Sequence, residues 1–155
     1  MIVVADTSPI NYLVLIDEID VLPKLLRQIA IPTGVLSELQ RDKTPRKVRG
    51  WAEANPPWLS VEMVTVTPEI ELEKLGRGEY EAIILAEKLQ ANLLIIDDRA
   101  GRKAAVRIGL RTVGTLFVLQ RASRRAILDL PQALEKLQRT NFRISPKILQ
   151  SLLDE

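Results

Sequence analysis

Three short stretches of this chain are apolar at every position: Ile2-Val3-Val4-Ala5, Ile29-Ala30-Ile31 and Leu93-Leu94-Ile95-Ile96. A strand with one wet face alternates apolar and polar residues. Unbroken apolarity instead predicts strands covered on both faces, as in a parallel sheet enclosed by helices. The segments between them carry helical spacing. A helix is predicted from Ser8, as N-cap with Pro9 at the first helical position, through about Leu15. Others are predicted from about Ile19 to Gln28, after Pro32-Thr33 (carrying Val35, Leu36 and Leu39), and from about Thr44 to Ala54, stopped by Pro56-Pro57. Val61 to Val66 reads as a further strand and a candidate edge. Gly76-Arg77-Gly78 precedes a helix from Glu79 to about Gln90, and another helix covers about Arg99 to Ile108. Thr112-Val113 is a short strand before a helix of Leu116 to Ala122. The last two helices are Pro131 to Arg139 and, capped by Ser145-Pro146, Lys147 to Leu153. Strands alternating with helices predict a three-layer α/β/α domain with a mostly parallel central sheet. At 155 residues the chain suits a single domain over residues 1–155.

The chain contains no Cys and no His. Disulfides, thiol nucleophiles, Cys/His zinc sites, imidazole bases and Ser-His-Asp triads are thereby excluded. Any chemistry must use carboxylates, Lys, Arg, hydroxyls, backbone groups or a metal held by oxygen. The amino terminus reaches Asp6 without a basic segment or long apolar core, so no signal peptide is read there. No run approaches the length of a membrane span, and a cytoplasmic location is expected. The net charge of +2 is unevenly spread. Between Arg99 and Arg125 lie eight basic residues and no acid, leaving a net −6 on the rest of the chain. A second basic cluster runs from Arg41 to Arg49, interrupted only by Asp42. Segregation of this kind suits a polyanion lying across one face, although basic runs also occur as solvated helix surfaces.

In open α/β sheets, function gathers outside the carboxyl ends of the strands. Asp6 directly follows the first apolar run, and Asp97-Asp98 directly follow Leu93–Ile96. Glu38 lies about one turn into the helix entered from Ile29–Ile31, and Glu79 begins the helix after Gly76-Arg77-Gly78, with Glu81 two residues on. At about 100° per residue, Glu79 and Glu81 stand about 200° apart. Glu79 shares a stripe with Ile83 and Ala86 and is expected inward. Glu81 aligns with Lys88 and is expected toward solvent, leaving it the second choice. Nothing comparable separates Asp97 from Asp98. Acids near helix starts also stabilise the macrodipole without any further role. However, several carboxylates brought together repel and raise each other's pKa unless a cation sits among them. Mg²⁺, hard and oxygen-seeking, is the natural choice, and the set reads as a metal-dependent phosphodiester site.

These residues fall into motifs: Val3-Val4-Ala5-Asp6-Thr7-Ser8-Pro9, Val35-Leu36-Ser37-Glu38-Leu39 and Gly78-Glu79-Tyr80-Glu81-Ala82-Ile83. Leu94-Ile95-Ile96-Asp97-Asp98-Arg99-Ala100-Gly101-Arg102 and Gly114-Thr115-Leu116 complete the pattern. In these motifs the chain resembles the PIN-domain family, particularly VapC-like toxin ribonucleases and a related PIN-like prokaryotic branch. The resemblance covers about residues 1–125; the C-terminal helices, 126–155, add nothing specific. It implies an acidic pocket holding Mg²⁺ or Mn²⁺, formed by Asp6, Glu38, Glu79 and Asp97 or Asp98, and endonucleolytic cleavage of RNA. It further implies a cognate antitoxin protein as partner and a homodimer. VapC toxins usually carry Thr or Ser two residues before the fourth acid, where this chain has Ile96 before Asp98. Its Asp97-Asp98-Arg99 sequence is similar to that of the PIN-like branch.

The expected activity is therefore that of a metal-dependent ribonuclease. Asp6, Asp97 and Asp98 would ligate the metal, with Glu79 and Glu38 completing the shell or orienting the attacking water. Thr7 or Ser8 could hold a metal-bound water, Asn11 could support Asp6, and Arg99, Arg102 and Lys103 could bind flanking phosphates. One alternative is a catalytically weak or inactive PIN-like module that binds RNA or protein. Another, an aspartyl-phosphate enzyme, lacks a second acid two residues after Asp6, where Ser8 stands. No glycine-rich nucleotide loop is present.

Overall fold

Val3–Ala5 forms β1, buried at all three positions, and it is the central strand of the domain. The computed structural model describes residues 1–65 and 75–154. Around β1 lie β2 (Ile29–Pro32), β3 (Leu59–Glu62), β4 (Leu93–Ile95) and β5 (Thr112–Val113). The strand order is β3-β2-β1-β4-β5, and every pairing is parallel. The three apolar runs thus became the three inner strands. Covering both faces of such a strand with helices stabilises the fold by about 1.5–3 kcal/mol for each large apolar side chain buried.

The flanking helices are α1 (Thr7–Leu15), α2 (Val21–Leu26), α3 (Thr33–Leu39), α4 (Arg46–Ala54), α5 (Arg77–Lys88), α6 (Arg99–Arg107), α7 (Thr115–Arg124), α8 (Leu130–Gln138) and α9 (Pro146–Leu153). Helix α5 packs on β1, β2 and β4 and touches α3 and α6, whereas α2 bridges β2 and α7. Tyr12 of α1 anchors the segment between α8 and α9: its hydroxyl donates to Asn141 Oδ1 at 2.7 Å, and its ring meets Phe142 edge-on at 4.9 Å. Trp51 and Trp58 pack on each other at 5.8 Å. Leu149 and Leu152 of α9 are partly buried on the core, and Leu153 is exposed.

Several boundaries differ from expectation, each for a local reason. Asp6, not Ser8, is the cap residue of α1, and its side chain makes no capping bond. The Asp6 amide still pairs with the Ile95 carbonyl at 2.9 Å, so the helix starts immediately where the sheet ends. Pro9 is tolerated one turn in, because the first amides of a helix have no intrahelical acceptor. Helix α2 stops before Arg27, whose φ of 65° lies in the left-handed region. Helix α5 begins two residues earlier than Glu79. Strand β3 begins at Leu59 because Ile29 pairs there in register; it lies at the sheet edge, and Val66 falls outside the described residues. Among the described residues, no helix is long and apolar enough to cross a membrane.

Candidate active site

The strand order reverses direction between β1 and β4: β2 and β3 lie on one side, β5 on the other. Such a switch point opens a crevice at the carboxyl ends of its two strands, where the loops diverge. Ala5 pairs with Ile95 across that junction, so Asp6 leaves the sheet level with Ile96, one residue before Asp97. Asp6 is 1% exposed, and its Oδ1 has no hydrogen-bond partner. A buried, unpartnered carboxylate oxygen costs free energy unless something outside the chain satisfies it. Asn11, expected to support Asp6, leaves that oxygen alone.

Glu38 and Glu79 approach the same crevice from α3 and α5. Thr7 Oγ1 donates to Glu38 Oε2 at 2.5 Å, and the Gly78 amide donates to Oε1 at 2.9 Å. Thr7 is therefore engaged with a carboxylate, while Ser8 is a partly buried residue of the first turn of α1. A Cβ at Gly78 would overlap the Glu38 carboxylate, so this close approach needs glycine. Glu79 lies near enough to Asp98 and Glu38 for their charges to act on it.

Glu81 corrects the helical-wheel expectation. It is 4% exposed, not turned to solvent. Its Oε1 accepts from the Gly34 amide at 3.0 Å and from Thr33 Oγ1 at 3.4 Å, and its Oε2 pairs with Arg77 Nε at 2.7 Å. Helix α5 is buried on most of its circumference, against both the sheet and α3, so its polar positions do not map onto a single wet stripe. Glu81 therefore ties α5 to the start of α3 and does not face the crevice acids.

Asp97 and Asp98 diverge. Asp97 Oδ1 accepts from the Thr115 amide at 2.8 Å and Oδ2 from the Thr115 hydroxyl at 2.6 Å. Asp98 is the N-cap of α6, accepting from the Gly101 amide at 2.8 Å, and it reaches toward Glu79. Thr115, fully buried, is a site residue that the sequence reading assigned no role; the sole signal was its place in Gly114-Thr115-Leu116 after the last strand. Arg99, Arg102 and Lys103 of α6 border an open groove that begins at Asp97.

The electrostatics follow from this crowding. Burial pushes Asp6 up to about 7, with the charges of Glu79, Glu38 and Asp97 adding to the shift and the Thr7 amide opposing it. Burial, then Asp98 and Glu38, push Glu79 up to about 7. Burial also raises Asp97, against the two Thr115 bonds and the nearby Arg102. The donors here are all oxygen, the set that hard divalent cations favour. Among the described residues, no group of three or more acids is placed to hold a metal ion together. An ion that keeps most of its waters and takes one or two carboxylates fits this arrangement. Asp6, with its free Oδ1, is the foremost candidate ligand, and Asp97, Asp98 and Glu79 border it.

A family model described as a PIN domain (DUF3368) matches residues 2–155, running past the last recognised motif through the C-terminal helices. Among solved structures, the chain is similar to a PilT N-terminus domain protein from the hyperthermophilic archaeon Sulfolobus solfataricus. The two share 17% identity over 94% of this chain and 100% of that one, with a TM-score of 0.54, a likeness of fold. A comparison with curated proteins finds no significant match. The family match over nearly the whole chain, and a parallel sheet with acids gathered at its switch point, lead to one conclusion: this chain belongs to the PIN-domain family.

Proposed function

We propose that the chain is a Mg²⁺- or Mn²⁺-dependent endoribonuclease. The observation that carries this reading is the unpartnered, buried Oδ1 of Asp6, set among Glu38, Glu79, Asp97 and Asp98 at the switch point. Asp6 with Asp97 or Asp98 would hold the cation, which supplies Lewis acidity at the phosphodiester when bound. Glu79, whose carboxyl is raised above its ordinary value by burial and by the charges of Asp98 and Glu38, is the candidate to take a proton from the attacking water. Thr115 and Gly78 hold Asp97 and Glu38 in place, so these two carboxylates do not have to reorganise as charge develops. Arg99, Arg102 and Lys103 would bind phosphates flanking the cleaved bond. In the wider form of this proposal, the protein is the toxin of a toxin–antitoxin pair, acts as a homodimer and is restrained by an antitoxin protein.

A second reading, an RNA-binding module of little activity, is favoured by one observation. Glu38, Asp97 and Asp98 already accept hydrogen bonds from their own chain, which satisfies much of their capacity. Calorimetric titration of Mn²⁺ into wild type and Asp6→Asn separates the two. Binding to wild type that is lost in the variant, with Mg²⁺-stimulated RNA cleavage lost alongside, supports the nuclease. RNA binding that needs neither Asp6 nor a divalent cation supports the module.

A further inference from the structure

The motifs that mark this chain stop near residue 125, yet its C-terminal segment returns to the crevice. An open groove of ≈ 840 Å³ starts at Asp97 and runs along the β5 edge of the sheet. One wall carries Arg99 and Arg102 of α6 with Arg111 at the entry to β5. The other carries Phe142, Arg143 and Ile148, from the turn after α8 and from α9. Asp97, at the groove's inner end, is the only acid among its described lining residues. No carboxylate among the described residues pairs with Arg99, Arg111 or Arg143. Guanidinium groups gathered along one groove, with no carboxylate paired to Arg99, Arg111 or Arg143, make that groove attractive to an anion. A guanidinium presents a fork of donors matched to phosphate oxygens.

The far wall is held independently of any ligand. The Tyr12 hydroxyl bonds Asn141, and the Tyr12 ring packs against Phe142, the residue beside Arg143. Tyr12 belongs to α1, the helix that starts at Asp6. The C-terminal segment is thus fastened to the same element that carries the buried acid. Arg143 is therefore set at a defined place relative to the crevice and does not hang on a free tail.

We propose that Arg143 is a phosphate clamp: it completes the far wall of the substrate groove and binds an RNA backbone phosphate beyond those met by Arg99 and Arg102. This rests on the reading of RNA as substrate and adds the C-terminal segment to the substrate site. A contact to a backbone phosphate positions the strand and carries no sequence information of its own.

The test is fluorescence anisotropy of a labelled single-stranded RNA bound to the full chain carrying Asp6→Asn, so that the strand stays intact. Added to that background, Arg143→Ala is expected to weaken binding about tenfold, the effect of losing one charge-assisted contact. It should also flatten the dependence of log K on log salt by about 0.7, one phosphate contact on a single strand. Arg143→Lys should keep most of the slope. Lys88→Ala, which removes the same single positive charge at the far end of α5, serves as control for net charge. Unchanged affinity and slope with Arg143→Ala, on a strand that wild type does cleave, overturn the clamp and leave the nuclease reading intact. An equal loss with Lys88→Ala also overturns it, as a general charge effect. Failure of the background protein to bind RNA at all overturns the clamp and counts against the nuclease reading too.

Discussion

Thr115 grips Asp97 with two hydrogen bonds, its amide at 2.8 Å from Oδ1 and its hydroxyl at 2.6 Å from Oδ2. The pair joins the end of β4 to the start of α7 on the β5 side of the switch point, and it sets the direction of an acid whose charge, with those of Glu79 and Glu38, acts on Asp6. A Cβ at Gly114 would come within 2.8 Å of the same carboxylate, so the turn before Thr115 is shaped around it as well.

Thr115→Val keeps the amide bond and removes the hydroxyl. Stability is expected to fall by about 1–2 kcal/mol, because a buried acceptor loses its partner. Mn²⁺ affinity should fall with it as Asp97 turns more freely. Urea unfolding followed by calorimetric titration checks both. A variant as stable as wild type, with equal metal affinity, would remove Thr115 from the site.

Glu81 makes the opposite prediction. Glu81→Ala strands the Gly34 amide and leaves Arg77 unpaired, so a loss of about 2 kcal/mol in chemical unfolding is expected. Metal affinity per folded molecule should stay unchanged, since Glu81 faces α3 and not the crevice. Loss of metal binding in a folded Glu81→Ala protein would contradict this division of labour within α5.

The pH dependence follows from Asp6. Its folded value of about 7 stands above the ordinary 3.8, so the folded chain holds this proton more tightly than the unfolded one. Stability from this group is therefore lost as pH rises from about 4 to about 7, by up to ~4 kcal/mol. Asp6→Asn removes that titration. The variant should accordingly gain stability relative to wild type between about pH 5 and pH 8, while wild type should recover much of the difference at pH 8 when Mn²⁺ is added. Denaturant midpoints at the two pH values decide it. An identical wild-type-to-variant difference at both would mean that Asp6 does not titrate in this window.

Gly78→Ala places a methyl group into the Glu38 carboxylate. Either Glu38 leaves its Thr7 and Gly78 donors or the start of α5 shifts, at a cost of about 1–3 kcal/mol. RNA cleavage should drop at least tenfold while the far-ultraviolet circular dichroism stays native. Wild-type cleavage by a folded Gly78→Ala protein would show that Glu38 need not be held where it is.

By itself, the sequence determined the architecture and the location of the chemistry. Runs such as Val3-Val4-Ala5 and Leu94-Ile95 have no wet face, so they can only be inner strands, and the acids placed just after them must emerge at one end of the sheet. The absence of Cys and His limited any metal ligation to oxygen donors. Tertiary structure alone decided the roles of near neighbours. Glu79 and Glu81 differ because α5 is enclosed by two layers at once, and a helical wheel assumes one buried side. Asp97 and Asp98 differ because Thr115, which lies 18 residues on in the chain, accounts for one, and the Gly101 amide for the other. The segment carrying Arg143 is fastened in part by Tyr12, a partner 129 residues before Asn141. Local periodicity carries no trace of such distant contacts. They arise from strand order, which brings together segments whose separation along the chain is unrelated to their separation in space.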